Sequence, residues 1–488
     1  MTTKLNHLLE NVDVIEIIGN TDKNITSVES DSRKAEQNGL FVAVKGVTTD
    51  GHKYIPVVSS AHVAAVVCEE FPTILDKGVT YVKVKDSAEA LGHIASAWYG
   101  HPSSHLTLVG VTGTNGKTTT ATLLYEMAKL EGYKAGLLST VCNYIGEKAV
   151  PSTHTTPDPL TLNRLLGEMV SEGCDYAFME VSSHSTDQKR VAGLVFSGGI
   201  FTNLTRDHLD YHGTVDNYMR AKKRFFDMLG PDAFALINID DKSGRFMVQN
   251  TKAKVYTYSL RTDADFRGKV IETRLDGTLL ELNGHEVDVM FTGKFNAYNL
   301  TGVYGASILC GFNPSDVLVN MSRLVPVAGR FQPFVSPDGV AAIVDYAHTP
   351  DALVNVLDTI RDIVGTNGKV ITVVGAGGNR DHGKRPMMAQ EAACRSDILI
   401  LSSDNPRNEE PEAIIEEMAA GLSEEELKRT IKITDRRVAI QEAVAMAAPG
   451  TVVLIAGKGH ETYQEVKGVR HHFDDAEEVR EALRKRNQ

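Results

Sequence analysis

The chain is poor in cysteine: five in 488 residues, Cys68, Cys142, Cys174, Cys310 and Cys394, scattered and with no CxxC pair. So sparse and odd a set excludes a disulfide framework and a paired-cysteine zinc site, and reads as reduced thiols of a cytoplasmic protein. Long apolar runs are missing too; none approaches the roughly 18 residues that a membrane span needs. The opening stretch MTTKLNHLLENVDVIEIIG carries acids within its apolar part and no small-residue cleavage site, so no signal peptide is expected. Basic residues are outnumbered, 51 Lys and Arg against 63 Asp and Glu, for a net charge of −12. That balance excludes a protein that coats nucleic acid, while leaving room for a local basic pocket that holds phosphates. Internal repeats, low-complexity tracts and coiled-coil heptads are absent as well.

What is there has ordinary globular composition, 42% hydrophobic and 23% charged, at a length that suits about three domains of roughly 150 residues. Residues 1–100 read as a compact α/β unit with short strands at Leu40–Val44, Val63–Cys68 and Tyr81–Val84, closed by a helix over Ala88–Tyr99. His101-Pro102 and two serines then read as a linker. A second unit, 101–331, opens on a buried strand at Leu106–Thr112 and a helix at Thr118–Leu130, with further strands at Tyr176–Val181, Gly199–Thr202 and Ala233–Ile239. Strands separated by helix-length segments predict a largely parallel sheet with helices on both faces. Short alternating strands over Asp263–Val289 predict a small antiparallel insert, followed by a helix at Asn296–Leu309 and a connector at Val325–Phe331. The third unit, 332–488, has strands at Ala341–Asp345, Val370–Val374, Ile398–Leu401 and Val452–Ile455, each ending in a polar or glycine-rich loop. Ligands of open α/β sheets bind outside the carboxyl ends of the strands, so these four loops predict a small-molecule site.

The sharpest motif is VGVTGTNGKTTT at 109–120. A strand runs into a glycine turn, Gly113-Thr114-Asn115-Gly116, and Lys117-Thr118-Thr119 open a helix. Backbone N–H groups and the positive helix end converge there on a phosphate, and glycine removes the side chains that would block it. Lys117 would reach the β- and γ-phosphates, and Thr118 or Thr119 can ligate Mg²⁺. Val111 stands where the strict GxxxxGK[ST] pattern has its first glycine. Glu180 ends a buried strand and can hold Mg²⁺ directly or through water. The run Thr205-Arg206-Asp207-His208-Leu209-Asp210-Tyr211-His212 suits metal ligands or phosphate contacts, and equally a solvated polar loop.

Taken together, GTNGKT, MEVSSH, TRDHLDYH with the following YMRAK, and the late DYAHTPD resemble, in order and spacing, the Mur ligases, ATP-dependent amide-forming enzymes of cell-wall precursor synthesis. The resemblance spans essentially the whole chain. It implies an N-terminal domain for the uridine nucleotide, a central P-loop ATPase domain with a parallel sheet, and a C-terminal Rossmann-like domain for the amino acid. Lys222 matches the lysine that the family carbamylates to help bind Mg²⁺, and Thr118, Glu180 and His208 complete the implied metal set. Asn296 and Asn299 match the positions flanking adenine, and Arg330 and Asp345 those that bring the C-terminal domain onto the nucleotide. For the UDP-sugar peptide the matching residues are Ser30, Ser32, Thr155, Thr156, Ser182, Gln188 and Arg190. For the amino acid they are Arg380, Asp404, Asn405, Pro406, Arg407, Gly457 and Glu461.

The DNPR tetrad Asp404–Arg407 marks the branch that adds meso-diaminopimelate, whose distal carboxylate Arg407 can pair while Asp404 and Asn405 engage the distal ammonium. The implied substrates are therefore ATP, UDP-N-acetylmuramoyl-L-Ala-D-Glu and meso-diaminopimelate, handled by a cytoplasmic monomer. The expected chemistry is phosphorylation of the D-Glu γ-carboxylate and attack on the acyl phosphate by the amine. Three other readings stay open on the sequence: a sister ligase such as folylpolyglutamate synthetase, a P-loop switch or motor, and a non-catalytic nucleotide-binding scaffold.

Overall fold

A computed structural model describes residues 2–46, 49–152, 154–365 and 368–486. The chain builds three principal α/β sheets in sequence order. The first has five strands, ordered in space Val14–Ile18, Thr80–Val84, Ala65–Cys68, Leu40–Val42 and Val28–Glu29. All neighbours are parallel except the edge strand Val14–Ile18. Its closing helix, Ser87–Trp98, is capped by Asp86, whose carboxylate accepts from Glu89 N at 2.9 Å.

The segment read as a linker, between the first and second sheets, is packed. His101 turns with φ +55°, Pro102–His105 form a 3-10 turn with Pro102 and Ser103 buried, and Ser103 Oγ accepts from Val195 N at 3.0 Å. The Pro-Ser-Ser composition signals a turn, but that turn is tied into the next sheet.

The central sheet has eleven strands. Its parallel middle runs Ala135–Leu138, Tyr176–Glu180, Thr107–Thr112, Gly198–Phe201, Phe234–Asn238 and Lys254–Ser259. Side chains alternate between two cores: Val109, Val111, Phe178 and Ile200 face helices Lys117–Leu130 and Lys294–Leu309. Leu108, Ala177, Met179 and Phe201 face helices Pro159–Ser171 and Val215–Asp227. Burial on both faces explains the unbroken apolar text of these strands. The antiparallel strands expected over 263–289 form Phe266–Arg274, Gly277–Leu282 and His285–Val289, and extend the sheet edge rather than standing apart.

The third sheet orders Gln332–Val335, Ala341–Asp345, Val452–Ala456, Val370–Val374, Ile398–Leu401 and Thr430–Lys432, parallel apart from the first. Helices Pro350–Val364, Lys384–Arg395 and Pro411–Ala419 cover one face, and Arg436–Met446 with Asp475–Arg486 the other. This is a doubly wound, Rossmann-like sheet whose loop-bearing carboxyl ends turn toward the central sheet.

Arg436 and Asp475, both fully buried, form a two-point ion pair at 2.8 and 2.7 Å, and Arg436 also donates to Ala456 O at 3.0 Å. Removing one partner strands a charge in the core. Arg436→Met should lower unfolding stability of this sheet by about 3–5 kcal/mol, and the double change R436M/D475L should recover most of it; urea unfolding followed by circular dichroism measures both.

Candidate active site

The loop Gly113–Gly116 leaves the central strand and enters helix Lys117–Leu130. Gly113 has φ +152° and Gly116 φ +87°; a Cβ would collide with Thr202 Oγ1 at the first and Asn299 Oδ1 at the second. Neighbouring polar groups brace the loop. Asn203 accepts from Asn115 N through Oδ1 at 2.9 Å and from Thr114 N through its carbonyl at 2.8 Å. Thr114 Oγ1 lies 3.1 Å from the Tyr218 hydroxyl and accepts from Thr205 N at 3.0 Å. Asn203 and Tyr218 come from neighbouring elements, and only their places beside TRDH and in YMRAK could have drawn the eye to them.

Two lysines converge on one oxygen. Lys117 Nζ donates to the carbonyls of Gly113 and Thr114, both at 2.9 Å, and Lys222 Nζ donates to Gly113 O at 2.7 Å while lying over the Tyr218 ring. Burial lowers the affinity of Lys222 for its proton well below the lysine range, and the charge of Lys117 lowers it further. Burial also lowers Lys117, with Glu180 and Asp207 pulling the other way. Glu180, buried at its strand end, accepts from Thr140 N through Oε1 at 2.7 Å. His208, at φ +53°, is pushed down to about 3 by burial and by Lys117, His184 and Lys222, against the pull of Asp207, whose Oδ2 lies 3.3 Å from its Nε2. Of the run 205–212, Leu209–His212 form a short helix with His208 at its start, and Arg206 and Asp210 are exposed.

Beside Glu180, Thr156 Oγ1 donates to Glu180 O at 2.9 Å and accepts from Ser182 N at 3.2 Å. Thr140 Oγ1 donates to Thr155 Oγ1 at 3.0 Å. Arg190 forks onto Gln188 Oε1 at 2.6 and 3.0 Å and reaches Thr156 O at 2.8 Å. The structure therefore brings Thr155, Thr156, Ser182, Gln188 and Arg190 together. Ser30 and Ser32 stand apart on the first sheet's Glu29–Lys34 segment, which shares that side through the proximity of Glu29 to Asp158. Ser182 also caps helix Ser183–Asp187, accepting from Ser185 N. Asn299 donates to Asn296 Oδ1 at 3.4 Å, and Asn296 to Thr292 O at 2.9 Å, behind Gly116.

The third sheet meets this cleft directly. Arg330 Nη2 donates to Thr118 Oγ1 at 3.2 Å and stacks on Tyr346, and Asn115 Nδ2 donates to Asp351 Oδ2 at 3.1 Å. Asp345 accepts from Phe331 N and Ala347 N, both at 2.7 Å; burial raises it to about 6 against the opposing charge of Arg330. His348 Nδ1 donates to Tyr346 O at 2.8 Å, which leaves Nε2 as the acceptor edge. Burial lowers His348, whose charged neighbours are Lys384, Asp207 and Arg330. Burial lowers Lys384 as well, while Asp207, Asp381 and Asp404 pull it back. These two residues lie within the electrostatic field of Asp207, from the central sheet, and Lys384 also within that of Asp404. The sequence contained them in DYAHTP and HGKR without marking them.

Around the tetrad, Asn405 Nδ2 donates to Glu461 Oε2 at 2.7 Å and Oδ1 accepts from Lys458 Nζ at 3.2 Å. Lys458, fully buried, pairs Glu461 at 3.2 Å. Burial favours protonation of Asp404, but Lys458 and Arg436 outweigh it and hold the carboxyl below its usual range; burial and Asp404 raise Glu461. Gly457 (φ +120°) has Asp404 Oδ2 where a Cβ would be, 2.6 Å away. Arg407 Nη1 donates to Gly378 O at 2.7 Å, Pro406 packs its carbonyl on Gly378, and Arg380 is exposed on the same loop. Lys458 is the group missed here, although it lies between Gly457 and Glu461.

Comparison with known proteins gives three matches to family models: Mur ligase family, catalytic domain, over 24–99; Mur ligase middle domain over 111–307; and Mur ligase, glutamate ligase domain, over 329–459. A UDP-N-acetylmuramoyl-L-alanyl-D-glutamate–2,6-diaminopimelate ligase of Bacteroides fragilis is 59% identical over 98% of this chain and 99% of its own. Its namesake in Clostridioides difficile is 41% identical over 99% and 100%. A solved structure bearing that enzyme name is 32% identical, with TM-score 0.71 over 100% of both chains. A folylpolyglutamate synthase of Thermotoga maritima shares the fold at 14% identity, with TM-score 0.57 over 76% of this chain and 90% of its own.

Gly116→Ala would force a Cβ toward Asn299 at a left-handed backbone position. The KM for ATP should rise about tenfold or more, equivalent to about 1.4 kcal/mol, with the melting temperature lowered by about 2–4 °C from the backbone strain; steady-state kinetics with ATP varied reads the first.

Proposed function

The chain belongs to the Mur ligase family, and on that premise we infer that it joins meso-2,6-diaminopimelate to the D-Glu γ-carboxylate of UDP-N-acetylmuramoyl-L-Ala-D-Glu. It is an ATP-dependent, amide-forming ligase of peptidoglycan precursor synthesis. The observation that carries the reading is the contact of Arg330 with Thr118, which, with Arg330 stacked on Tyr346, ties the third sheet to the helix that the phosphate loop opens.

A carboxylate is a poor electrophile, so the γ-phosphoryl group of ATP first passes to the D-Glu γ-carboxylate. ADP leaves, and the amine of the incoming amino acid attacks the acyl phosphate. A tetrahedral intermediate then expels inorganic phosphate and leaves the amide. The loop N–H groups and Lys117 orient and neutralise the transferring phosphoryl group. Arg190, with Thr155, Thr156, Ser182 and Gln188, suits the peptide end of the nucleotide substrate, and Ser30 and Ser32 its uridine end. Asn296 and Asn299 are assigned to the adenine side, and Arg330 and Asp345 to holding the third sheet over the nucleotide.

The residues around the loop fit a magnesium ion. Among the described residues no three carboxylates, imidazoles or thiols converge to hold a metal, but Thr118 opens the helix beside Lys117, and Glu180 and His208 both lie within its electrostatic field. A carbamate on Lys222 would add a further anionic oxygen donor. The buried setting that favours a neutral Lys222 amine supports that modification, since only the neutral amine adds CO₂. Mg²⁺ would supply charge neutralisation for the β- and γ-phosphates.

At the amino-acid end, Arg407 is assigned to the distal carboxylate of meso-diaminopimelate, and Asp404, Asn405 and Glu461 to its ammonium groups, with Arg380, Pro406 and Gly457 shaping the pocket. We take 1–100, 101–331 and 332–488 as working domain limits. Among the described residues no helix is long and apolar enough to cross a membrane. A cytoplasmic monomer is favoured because ATP is plentiful there and one chain supplies every loop of the cleft. A sister ligase that extends folates would use the same phosphate loop but would leave the first sheet and the DNPR tetrad without a role.

Phosphate release from ATP and Mg²⁺ should require both UDP-N-acetylmuramoyl-L-Ala-D-Glu and meso-diaminopimelate, with L-lysine a poor substitute. Arg407→Ala should cut kcat/KM for diaminopimelate about a hundredfold or more. Turnover with lysine alone would keep the ligase and overturn the assignment of Arg407. Phosphate release indifferent to both co-substrates would overturn the ligase reading.

A further inference from the structure

The hairpin Tyr463–Val466 and Val469–His472 lies outside the six-stranded sheet and outside every residue assigned above. It holds the tetrad at almost every residue. Gln464 Nε2 donates to Asp404 O at 2.7 Å and to Ser403 Oγ at 3.4 Å. Glu465 N donates to Asn405 Oδ1 at 2.9 Å. Arg407 N donates to Glu465 O at 3.0 Å, and Lys467 N donates to Arg407 O at 2.6 Å, making a short bridge between Arg407 and Val466. Arg407 needs this support because its backbone is left-handed, φ +52°, a region that an L side chain enters only when its surroundings enforce it. The enforced turn aims the guanidinium at Gly378 O, against Gly377, where a Cβ would stand 3.0 Å from Nη1.

The same contacts fix the amide of Asn405. Its oxygen accepts from Glu465 N and Lys458 Nζ and its nitrogen donates to Glu461, so only one amide orientation satisfies all three. The base of the hairpin is closed by Phe473 N donating to Thr462 O at 3.0 Å, and Tyr463 packs between Lys458 and Arg470.

We propose that the Tyr463–His472 hairpin is the clamp that sets the conformation of Asp404–Arg407, with Gln464 as the positioning residue that gives this ligase its selectivity among diamino acids. The proposal rests on the reading of the tetrad as the diaminopimelate site. Gln464 touches no substrate in this account; its side chain carries the one hydrogen bond to the Asp404 carbonyl that a point change can remove while every backbone contact stays.

The test is steady-state kinetics of the full-length enzyme carrying Gln464→Met, which keeps the side-chain volume and loses the donor. The KM for meso-diaminopimelate should rise about tenfold, as loss of one half-buried hydrogen bond that holds the tetrad implies. The preference for diaminopimelate over L-lysine should fall in step, and kcat, the KM for ATP and the melting temperature should hold. Val469→Ala, at an exposed hairpin position that is 55% accessible, should leave all of these unchanged. A diaminopimelate KM within twofold of wild type, or equal shifts in the KM for ATP, would overturn the clamp. A wild-type enzyme indifferent to diaminopimelate would instead sink the reading of the tetrad, and the clamp with it.

Discussion

The reach of Arg330 to Thr118, 3.2 Å across the junction of two sheets, is the contact on which the account depends. A ligase must bring an activated carboxylate and an amine together, yet here the phosphate loop and the amino-acid loops grow from different sheets. Proximity has to be built by docking. Close packing at the junction makes the docked geometry specific. Gly329 (φ +67°) lies against Gly459 and the His460 backbone with no room for a Cβ, and Phe295 meets Phe331 with ring centroids 5.8 Å apart. Asn115 and Asp351 add a second tie from the tip of the phosphate loop.

Charge is distributed against the overall balance. A chain of net charge −12 concentrates Lys117, Arg330, Lys384 and Lys458 in and around one cleft. Burial strips several of these cations of water before any ligand arrives, and lysines 117 and 222 share a single carbonyl acceptor. Such a cleft attracts anionic groups, and every proposed substrate carries them: the phosphates of a nucleoside triphosphate, the diphosphate and carboxylates of a nucleotide-linked peptide, and the two carboxylates of a zwitterionic diamino acid. Asp207 and Asp404 restrain the excess from either side, and His348 lies within the field of both.

Much of this was legible in the sequence where burial on two faces leaves continuous apolar text. Ala341–Asp345, Val370–Val374 and Ile398–Leu401 have the bounds that their composition predicts. Strands with mixed or polar faces escaped: Lys254–Ser259, Asn143–Ile145 and the Tyr463–His472 hairpin lack a continuous apolar run, because their side chains are only partly buried and backbone pairing holds them. The phosphate loop was readable because Gly113 and Gly116 are required by conformation and close approach. The family resemblance, read from the order of motifs, agrees with the three domain matches. Residues that act through contacts across chain-distant elements had no local signature. Lys458 looks like any lysine in a glycine turn, Asn203 like any polar residue after a strand, and Gln464 like surface.

The central claim is that ATP bound on the central loop activates a carboxylate for an amine presented by the third sheet. The most direct measurement uses UDP-N-acetylmuramoyl-L-Ala-D-Glu labelled with ¹⁸O in the γ-carboxylate, followed by mass analysis of the released phosphate. The account predicts one labelled oxygen in the phosphate for every amide formed. Unlabelled phosphate accompanying the same amide would contradict it.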